Sequence, residues 1–132
     1  MIKISKQVDY AFQLIAELAK LEKNASLSLK KFSLQSSISF LFLQKIAKLL
    51  REAGIIKSVK GKNGGYMLAR PVETLNVKKI IEAVEGSYNA VDCAGSAKCC
   101  EKNKKCSMKS GFQIISKQIN NYFEKLKVTD IL

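Results

Sequence analysis

The chain has 132 residues, of which 47% are apolar, and its 23 basic and 11 acidic side chains give a formal net charge of +12. This apolar fraction excludes a disordered tail and, at this length, predicts one domain with a modest core. The charge predicts a polyanionic partner, since each Lys or Arg that meets a phosphate releases condensed counterions. A solubilising surface is the alternative explanation of the charge.

Histidine is absent from the sequence. Its absence excludes imidazole ligation, histidine-based acid–base catalysis and every Cys/His zinc pattern. No N-terminal stretch resembles a secretory signal, and the apolar runs are far shorter than the ~20 residues of a membrane span. We therefore expect a cytoplasmic protein without a membrane partner. In that compartment, clustered cysteines more often bind metal or sense redox state than form disulfides.

The first part of the chain predicts two helices. Apolar side chains recur at helical spacing over residues 8–21, which indicates an amphipathic helix. A short helix is predicted over residues 29–35, with Ser28 as its N-cap. The pair Ser36 and Ser37 then predicts a turn.

A stronger third helix is predicted after that turn. Ser39 is its candidate N-cap and Gly54 its C-terminal stop. One face of this helix is apolar, and it is formed by Phe40, Leu43, Ile46, Ala47 and Leu50.

The periodicity then changes from helical to β. Residues 55–59 and 66–69 are short β-prone runs on either side of a glycine-rich basic turn, which predicts a hairpin that Pro71 closes. Asn76 is then placed to cap a helix over Val77–Glu85 that stops at Gly86.

The remaining chain divides into a loop and a last helix. Residues 87–106 have little periodicity and are predicted as a loop, whereas residues 107–127 predict a helix. That helix has an apolar stripe of Phe112, Ile115, Ile119, Tyr122, Phe123 and Leu126. The stripe either covers the chain's own core or pairs with a second copy, as reading two half-sites requires.

This order of elements predicts a mainly α fold with a small β-hairpin. It is a winged helix-turn-helix DNA-binding domain over residues 1–86, whose wing covers about 55–69. A cysteine-rich loop, the candidate cluster-binding segment, follows over 87–106, and residues 107–132 form a long C-terminal helix, the candidate dimerisation element.

Several motifs closely resemble the IscR/NsrR family of bacterial winged-helix regulators, over essentially the whole chain. They lie at residues 6–11 (KQVDYA), 38–39 (IS), 50–56 (LREAGII), 59–66 (VKGKNGGY) and 80–86 (IIEAVEG). The resemblance implies a homodimeric transcription regulator, usually a repressor, and not an enzyme. It also implies an iron–sulfur cluster, [2Fe-2S] or [4Fe-4S], that senses iron–sulfur supply, oxidants or nitric oxide.

All four cysteines lie within residues 93–106, among several lysines. Thiolates are soft donors that favour iron–sulfur clusters, zinc and copper(I), and nearby cations favour the thiolate form. In cluster-binding members of the family, three cysteines are separated by five residues each. Cys93 and Cys99 fit the first interval, whereas Cys106 follows Cys99 by one residue too many and is separated by five residues from Cys100. We expect Cys93, Cys99 and Cys106 to be ligands, with Cys100 as the alternative to Cys99.

The fourth ligand is not a histidine, because the chain has none. The resemblance to the nitric-oxide-sensing branch implies that Asp9 reaches the cluster of the partner subunit. The alternatives are Cys100, an exogenous ligand, or an Asp9 that is only favoured by the dipole of the first helix. A structural zinc ion or a thiol–disulfide switch also remains open, although the paired C-x₂₋₄-C units of a sequential zinc site are missing.

The start of the third helix is predicted to enter the major groove of double-stranded DNA, at a pseudo-palindromic operator. Its candidate base-reading residues are Ser39, Leu41, Phe42 and Gln44. Four consecutive apolar residues, 40–43, cannot all be buried in one helix, which leaves Leu41 or Phe42 free for DNA or for packing on the wing or the partner.

Backbone contacts are predicted on both elements of the motif. In the wing, Lys60, Gly61 and Lys62 are placed to meet phosphates or the minor groove, and Lys45 and Lys48 of the third helix serve phosphates or solvent. A small iron–sulfur electron carrier or redox enzyme is the rival class. It is disfavoured because the cysteine runs of ferredoxins are missing.

Overall fold

A computed structural model of the chain describes residues 3–95 and 105–132. Its helices and strands are α1 Lys6–Ala19, α2 Leu29–Ser36, α3 Phe40–Glu52, β1 Ile56–Val59, β2 Gly65–Leu68, α4 Val77–Glu85, α5 Asp92–Gly95 and α6 Lys109–Lys125. Short 3₁₀ turns cover Val72–Thr74 and Val128–Asp130. The predicted fold class, mainly helical with one small hairpin, is confirmed.

The core forms where α1, α3 and α4 pack against one another. Each of these helices turns one apolar stripe inward, as its 3.6-residue periodicity requires. The largest fully buried side chains are Leu14, Ile15, Leu43, Ile46, Leu50, Ile56, Leu75, Ile80 and Val128. Phe40 was predicted on the inner face of α3 but is 38% exposed, because it stands at the first helical position, beyond the end of the packed stripe.

Serine hydroxyls fasten the turn between α2 and α3. The Ser33 hydroxyl donates to the Ile38 carbonyl over 2.6 Å, and the Ser36 hydroxyl donates to the Phe32 carbonyl over 2.7 Å. Ser37 ends α2 in the left-handed region, with φ of 59°. Glycine would adopt this conformation without the steric cost that an L side chain incurs. The turn thus fixes the angle at which α3 leaves α2.

The hairpin is antiparallel, with Ile56 opposite Leu68 and Val59 opposite Gly65. Its outer edge is joined to the connection between α1 and α2 by an isolated bridge between Leu27 and Tyr66. Ser28, the next residue, caps α2 by accepting a hydrogen bond from the Lys31 amide. The wing is therefore tied to the start of the helix-turn-helix through the main chain.

The caps of α4 agree with the prediction. The Asn76 side chain accepts a hydrogen bond from the Lys79 amide, and Gly86 ends the helix with φ of 82°. Ser39, by contrast, occupies the N-cap position of α3 without a side-chain hydrogen bond to the helix. The residue is exposed, and its hydroxyl forms no hydrogen bond within residues 3–95 and 105–132.

The second half of the chain differs from the prediction in two places. Residues 87–106 were predicted as a loop, but they contain α5, whose single turn is too short to produce a periodic signal. The last helix is shorter than the predicted 107–127, because the Leu126 carbonyl accepts from the Val77 amide over 2.9 Å. That bond, with the bridge between Asn76 and Lys127, draws the chain out of the helix. Among residues 3–95 and 105–132, no helix combines the length and apolarity needed to cross a membrane.

Candidate nucleic-acid interface and thiol site

The outer face of α3 carries polar and basic side chains opposite its buried stripe. Leu41, Gln44, Lys45 and Lys48 are all exposed, and their spacing places them on one side of the helix. Leu43, Ile46, Ala47 and Leu50 occupy the other side and are buried. With the exposed Ser39 at its start, this face has the composition of a helix that reads base edges and phosphates.

The structure separates the two apolar candidates of α3. Phe42 turns inward and its ring meets that of Tyr10 edge to face, with the centroids 5.5 Å apart. Leu41 is 76% exposed. Because Phe42 packs on α1, Leu41 is the one of these two side chains that remains available, for example to a thymine methyl group.

The wing turn presents its basic residues to solvent. Lys60, Gly61 and Lys62 are exposed, and the Gly64 amide donates to the Gly61 carbonyl over 2.9 Å. Gly61 has φ of 117°, a conformation that a residue with a Cβ rarely adopts. The turn is therefore a compact tip whose backbone can approach a duplex closely.

A cleft of about 690 Å³ lies between this turn and the start of α2. Lys31 of α2 lines it, together with Lys60 and Lys62 of the wing. The sequence reasoning did not single out Lys31. Its position three residues after the Ser28 cap was the available signal, since the first turn of a helix attracts anions.

The two cysteines within the described residues lie on either side of the undescribed residues 96–104. Cys93 belongs to α5 and Cys106 shortly precedes α6. Both are free thiols and half-buried. Cys99 and Cys100 lie outside the described residues. In the described ranges, no group of three or more Cys, Asp or Glu side chains is placed to hold a metal ion.

Two side chains of α6 hold the segment that leads into α5. The Ala90 amide donates to the Ser116 hydroxyl over 2.9 Å, and Ser116 is only 6% exposed. The Asn120 amide group donates to the Tyr88 carbonyl over 2.8 Å. Sequence reasoning missed both residues, because a serine and an asparagine on a helix have no distinctive spacing. They fasten the approach to Cys93 onto α6.

Asp9 lies in the first turn of α1. Its carboxylate is exposed and accepts a hydrogen bond from the Gln13 side-chain amide over 3.0 Å. This contact lies within one helix and leaves the carboxylate open to solvent. The position therefore offers an oxygen donor at the surface of the protomer.

The chemistry of the donor set fits a thiolate-bound metal group. Cys93 and Cys106 supply two of the four thiols of the segment, Cys99 and Cys100 complete the set in the sequence, and Asp9 offers an oxygen donor. When bound, an iron–sulfur cluster would supply a centre that reacts with oxidants and nitric oxide. The chain itself provides the thiol donors, and hydrogen bonds with Ser116 and Asn120 of α6 hold the segment that precedes Cys93.

A helix-turn-helix followed by a hairpin, with an exposed basic face on α3 and a basic wing tip, defines a winged helix-turn-helix DNA-binding protein. The model of the Rrf2 family, described as "Iron-dependent Transcriptional regulator", matches residues 4–132. The chain belongs to this family, in agreement with the resemblance drawn from the sequence.

A curated relative agrees with this family assignment. The chain is 38% identical to the "HTH-type transcriptional regulator IscR" of Cereibacter sphaeroides over 98 residues, a match that covers 73% of this chain and 63% of that protein. The match thus spans less than two thirds of the relative. That relative is named as a transcriptional regulator.

Two solved structures share the fold over nearly the whole chain. The structure of "CymR (YrzC) the Global Cysteine Regulator of B. subtilis" superposes with a TM-score of 0.75 at 26% identity, covering 99% of this chain and 96% of that one. The structure of "T. potens IscR" has a TM-score of 0.74 at 28% identity, covering 98% and 85%.

Proposed function

We propose that this protein is a homodimeric repressor that binds a pseudo-palindromic operator in the cytoplasm and whose DNA affinity is controlled by an iron–sulfur cluster. The observation that carries the proposal is the combination of Rrf2 membership, over residues 4–132, with four cysteines within residues 93–106. The family's description as iron-dependent supports an iron–sulfur cluster as the group that these thiols bind.

In this proposal α3 enters the major groove. Gln44 reads a base edge, Leu41 contacts a thymine methyl, and the Ser39 hydroxyl bonds a base or a phosphate. Lys45 and Lys48, on the same exposed face, meet phosphates. At the wing tip, Lys60, Gly61 and Lys62 meet the backbone or the minor groove.

Dimerisation is proposed through the C-terminal segment, residues 107–132. Along the predicted stripe of α6, Ile115 and Tyr122 are 42% and 64% exposed, and Met108, one heptad before Ile115, is 50% exposed. The intervening Phe112 and Ile119 are half-buried. This heptad arrangement leaves one side of the stripe uncovered by the protomer, as a helix that pairs with its copy requires.

The cluster is proposed to bind in the cysteine-rich segment 87–106. Cys93, Cys99 and Cys106 would be its thiolate ligands, and either Asp9 of the second subunit or Cys100 would complete the set. Because Ser116 and Asn120 attach the segment before Cys93 to α6, a change in this segment would act directly on the proposed dimer helix. Movement of that helix would alter the distance between the two α3 helices of the dimer.

The second candidate is a cluster-free regulator that uses a thiol switch or zinc. It keeps the DNA-binding surface and changes only the signal. The observation that favours it is that Cys93 and Cys106 are free, half-buried thiols in a chain similar in fold to a protein named as a cysteine regulator. A thiol that oxidises reversibly would alter the same segment.

The deciding experiment is anaerobic purification of the full chain, with an absorption spectrum and assays of iron, sulfide and zinc on one sample. We expect a brown protein with iron matched by sulfide. DNA binding to operator fragments is then compared for the loaded and the cluster-free protein. The Cys93→Ala variant serves as the ligand-loss control, and Ser110→Ala, at an exposed position of α6, serves as the surface control.

A colourless protein that stays colourless after reconstitution would contradict the cluster. In that case, zinc bound in proportion to protein, or a shift in DNA affinity on reversible oxidation, identifies the second candidate. Failure to select any duplex sequence from a random pool would contradict the DNA-binding function itself.

A further inference from the structure

The cleft between the wing and the start of α2 is built from two separate parts of the chain. One wall is the connection from Asn24 to Ser28 with Lys31, and the other is the wing from Val59 to Gly64. The walls are joined by the Leu27–Tyr66 bridge and by a hydrogen bond from the Ser26 hydroxyl to the Asn63 carbonyl. The cleft is therefore a fixed feature of the fold and not a gap between independent surfaces.

Its electrostatic character is strongly positive. Lys31, Lys60 and Lys62 line it, and none of the residues that line it is acidic. Within residues 3–95 and 105–132, the ion pairs formed are Lys20 with Glu17 and Lys78 with Glu124, so the three cleft lysines are not neutralised by a described carboxylate. The first turn of α2, which opens onto this cleft, has no acidic residue, and the amide dipoles of that turn favour an anion further.

We propose that this cleft binds the sugar–phosphate backbone of one DNA strand, with Lys31 as a phosphate-binding residue that acts together with Lys60 and Lys62. The inference rests on the proposed DNA-binding function and deepens it by assigning a second contact region and a further residue. A strand that passes the wing tip continues along the cleft to the start of α2.

The geometry favours a strand over a small anion. The cleft, with about 690 Å³ and an open side, is far larger than one phosphate group needs. Its lysines come from both walls, so they are suited to successive phosphates of a backbone. Because such contacts carry no base information, Lys31 is expected to raise affinity for every sequence alike.

The test measures binding of the full chain to a random-sequence duplex of about 30 base pairs, roughly three helical turns, by fluorescence anisotropy across about 50 to 200 mM salt. Lys31→Gln is compared with Lys30→Gln, its exposed neighbour that does not line the cleft, and with Lys117→Gln on α6. Each variant removes one positive charge. Lys31→Arg preserves the charge, and circular dichroism checks that every variant is folded.

We expect Lys31→Gln to weaken binding about threefold and to reduce the slope of log affinity against log salt by about 0.9, the value for one lost phosphate contact. Lys30→Gln and Lys117→Gln should leave the slope nearly unchanged, and Lys31→Arg should restore it. If wild type binds and Lys31→Gln behaves like Lys117→Gln, the cleft proposal is overturned while the DNA-binding function stands. If wild type binds no duplex at low salt, both fall.

A second measurement separates DNA from a free anion. Amide shifts of Ser26, Asn63 and Gly64 are followed by NMR during titration with the duplex and, separately, with inorganic phosphate. We expect these shifts with the duplex at much lower concentration than with phosphate. Shifts that saturate with phosphate and do not appear with the duplex would overturn the strand assignment and make the cleft a small-anion site.

Discussion

The main chains of Leu27 and Tyr66 exchange two hydrogen bonds, with N–O distances of 2.8 Å and 2.9 Å. Through this pair, one residue of the connection between α1 and α2 is added to the two-stranded wing as an isolated antiparallel bridge. Since an isolated hairpin is marginally stable, the bridge gives the wing a fixed direction relative to α2. The wing and the start of α2 are thereby held in one fixed arrangement.

Gly65 makes that pairing possible, because a Cβ at this position would overlap the Leu27 carbonyl. We expect Gly65→Ala to break both hydrogen bonds, lowering the free energy of unfolding by about 2 kcal/mol, and to weaken DNA binding by displacing the wing. Urea denaturation and anisotropy measure the two effects. Gly111→Ala on α6 is the control, since the nearest atom there is the flexible end of Met108. Equal effects of both substitutions would contradict the role of Gly65.

Ser116 connects α6 to the segment before Cys93. Ser116→Ala leaves the Ala90 amide without its partner, so we expect a loss of about 1–3 kcal/mol in unfolding free energy and faster hydrogen exchange at Ala90. Ser110→Ala, at an exposed position of the same helix, should change neither quantity. Unchanged exchange at Ala90 would show that the hydroxyl does not hold this segment.

Acidic substitutions on the uncovered side of α6 should disrupt the proposed dimer. Ile115→Asp combined with Tyr122→Asp should convert a dimer into a monomer at micromolar concentration, because both side chains are exposed in the protomer and carboxylates disfavour an apolar seam. Sedimentation velocity measures the change. Leu34→Asp introduces a charge at a leucine of α2 that is 79% exposed, and it should leave the assembly intact. A dimeric double variant would place the interface elsewhere.

Base reading and backbone contact should respond differently to substitution. Gln44→Ala is expected to relax discrimination at one base pair by about 1–3 kcal/mol, whereas Lys60→Ala should weaken all sites alike and reduce the salt dependence. Both side chains are exposed, so neither change should affect folding. Gel shifts on matched and mutated operators distinguish them, and identical behaviour of the two variants would contradict the assigned roles.

Asp9 provides a test of the fourth ligand. Its observed contact is an exposed hydrogen bond with Gln13 of the same helix, so Asp9→Asn should lower the free energy of unfolding of the cluster-free protein by no more than about 1 kcal/mol, the contribution of a carboxylate in the first turn of a helix. If Asp9 ligates the cluster, the variant should lose iron to a chelator faster and show a shifted absorption spectrum. Asp92→Asn, next to Cys93, is the matched control. Iron loss at the wild-type rate would assign the ligand elsewhere, with Cys100→Ala as the next variant to test.

The helices and the hairpin could be predicted because their signals are local. Ser28 and Asn76 cap α2 and α4 through hydrogen bonds to amides three residues ahead, and Gly54 and Gly86 end helices with positive φ. Such interactions span only a few residues, so the sequence around each boundary contains them. The winged helix-turn-helix fold followed from the order of these elements, whereas the family was indicated by the resemblance of the motifs at residues 6–11, 38–39, 50–56, 59–66 and 80–86.

The misplaced elements have a different cause. The end of α6 is set by the pairing of Leu126 and Lys127 with the residues that open α4, and α5 is a single turn without a periodic pattern. The sequence could not decide which of Leu41 and Phe42 is exposed, because the answer depends on the position of the Tyr10 ring, against which Phe42 packs.

By itself, the sequence determined the class of fold, the basic residues of α3 and the wing, and the set of candidate thiol ligands, because residue type, periodicity and caps act locally. Only the tertiary structure decided which side chains meet across the chain. The Ala90–Ser116 bond spans 26 residues and the Ser26–Asn63 bond spans 37. The cleft at Lys31 and the attachment of the cysteine segment to α6 arise from these distant contacts, which packing of the whole core brings together.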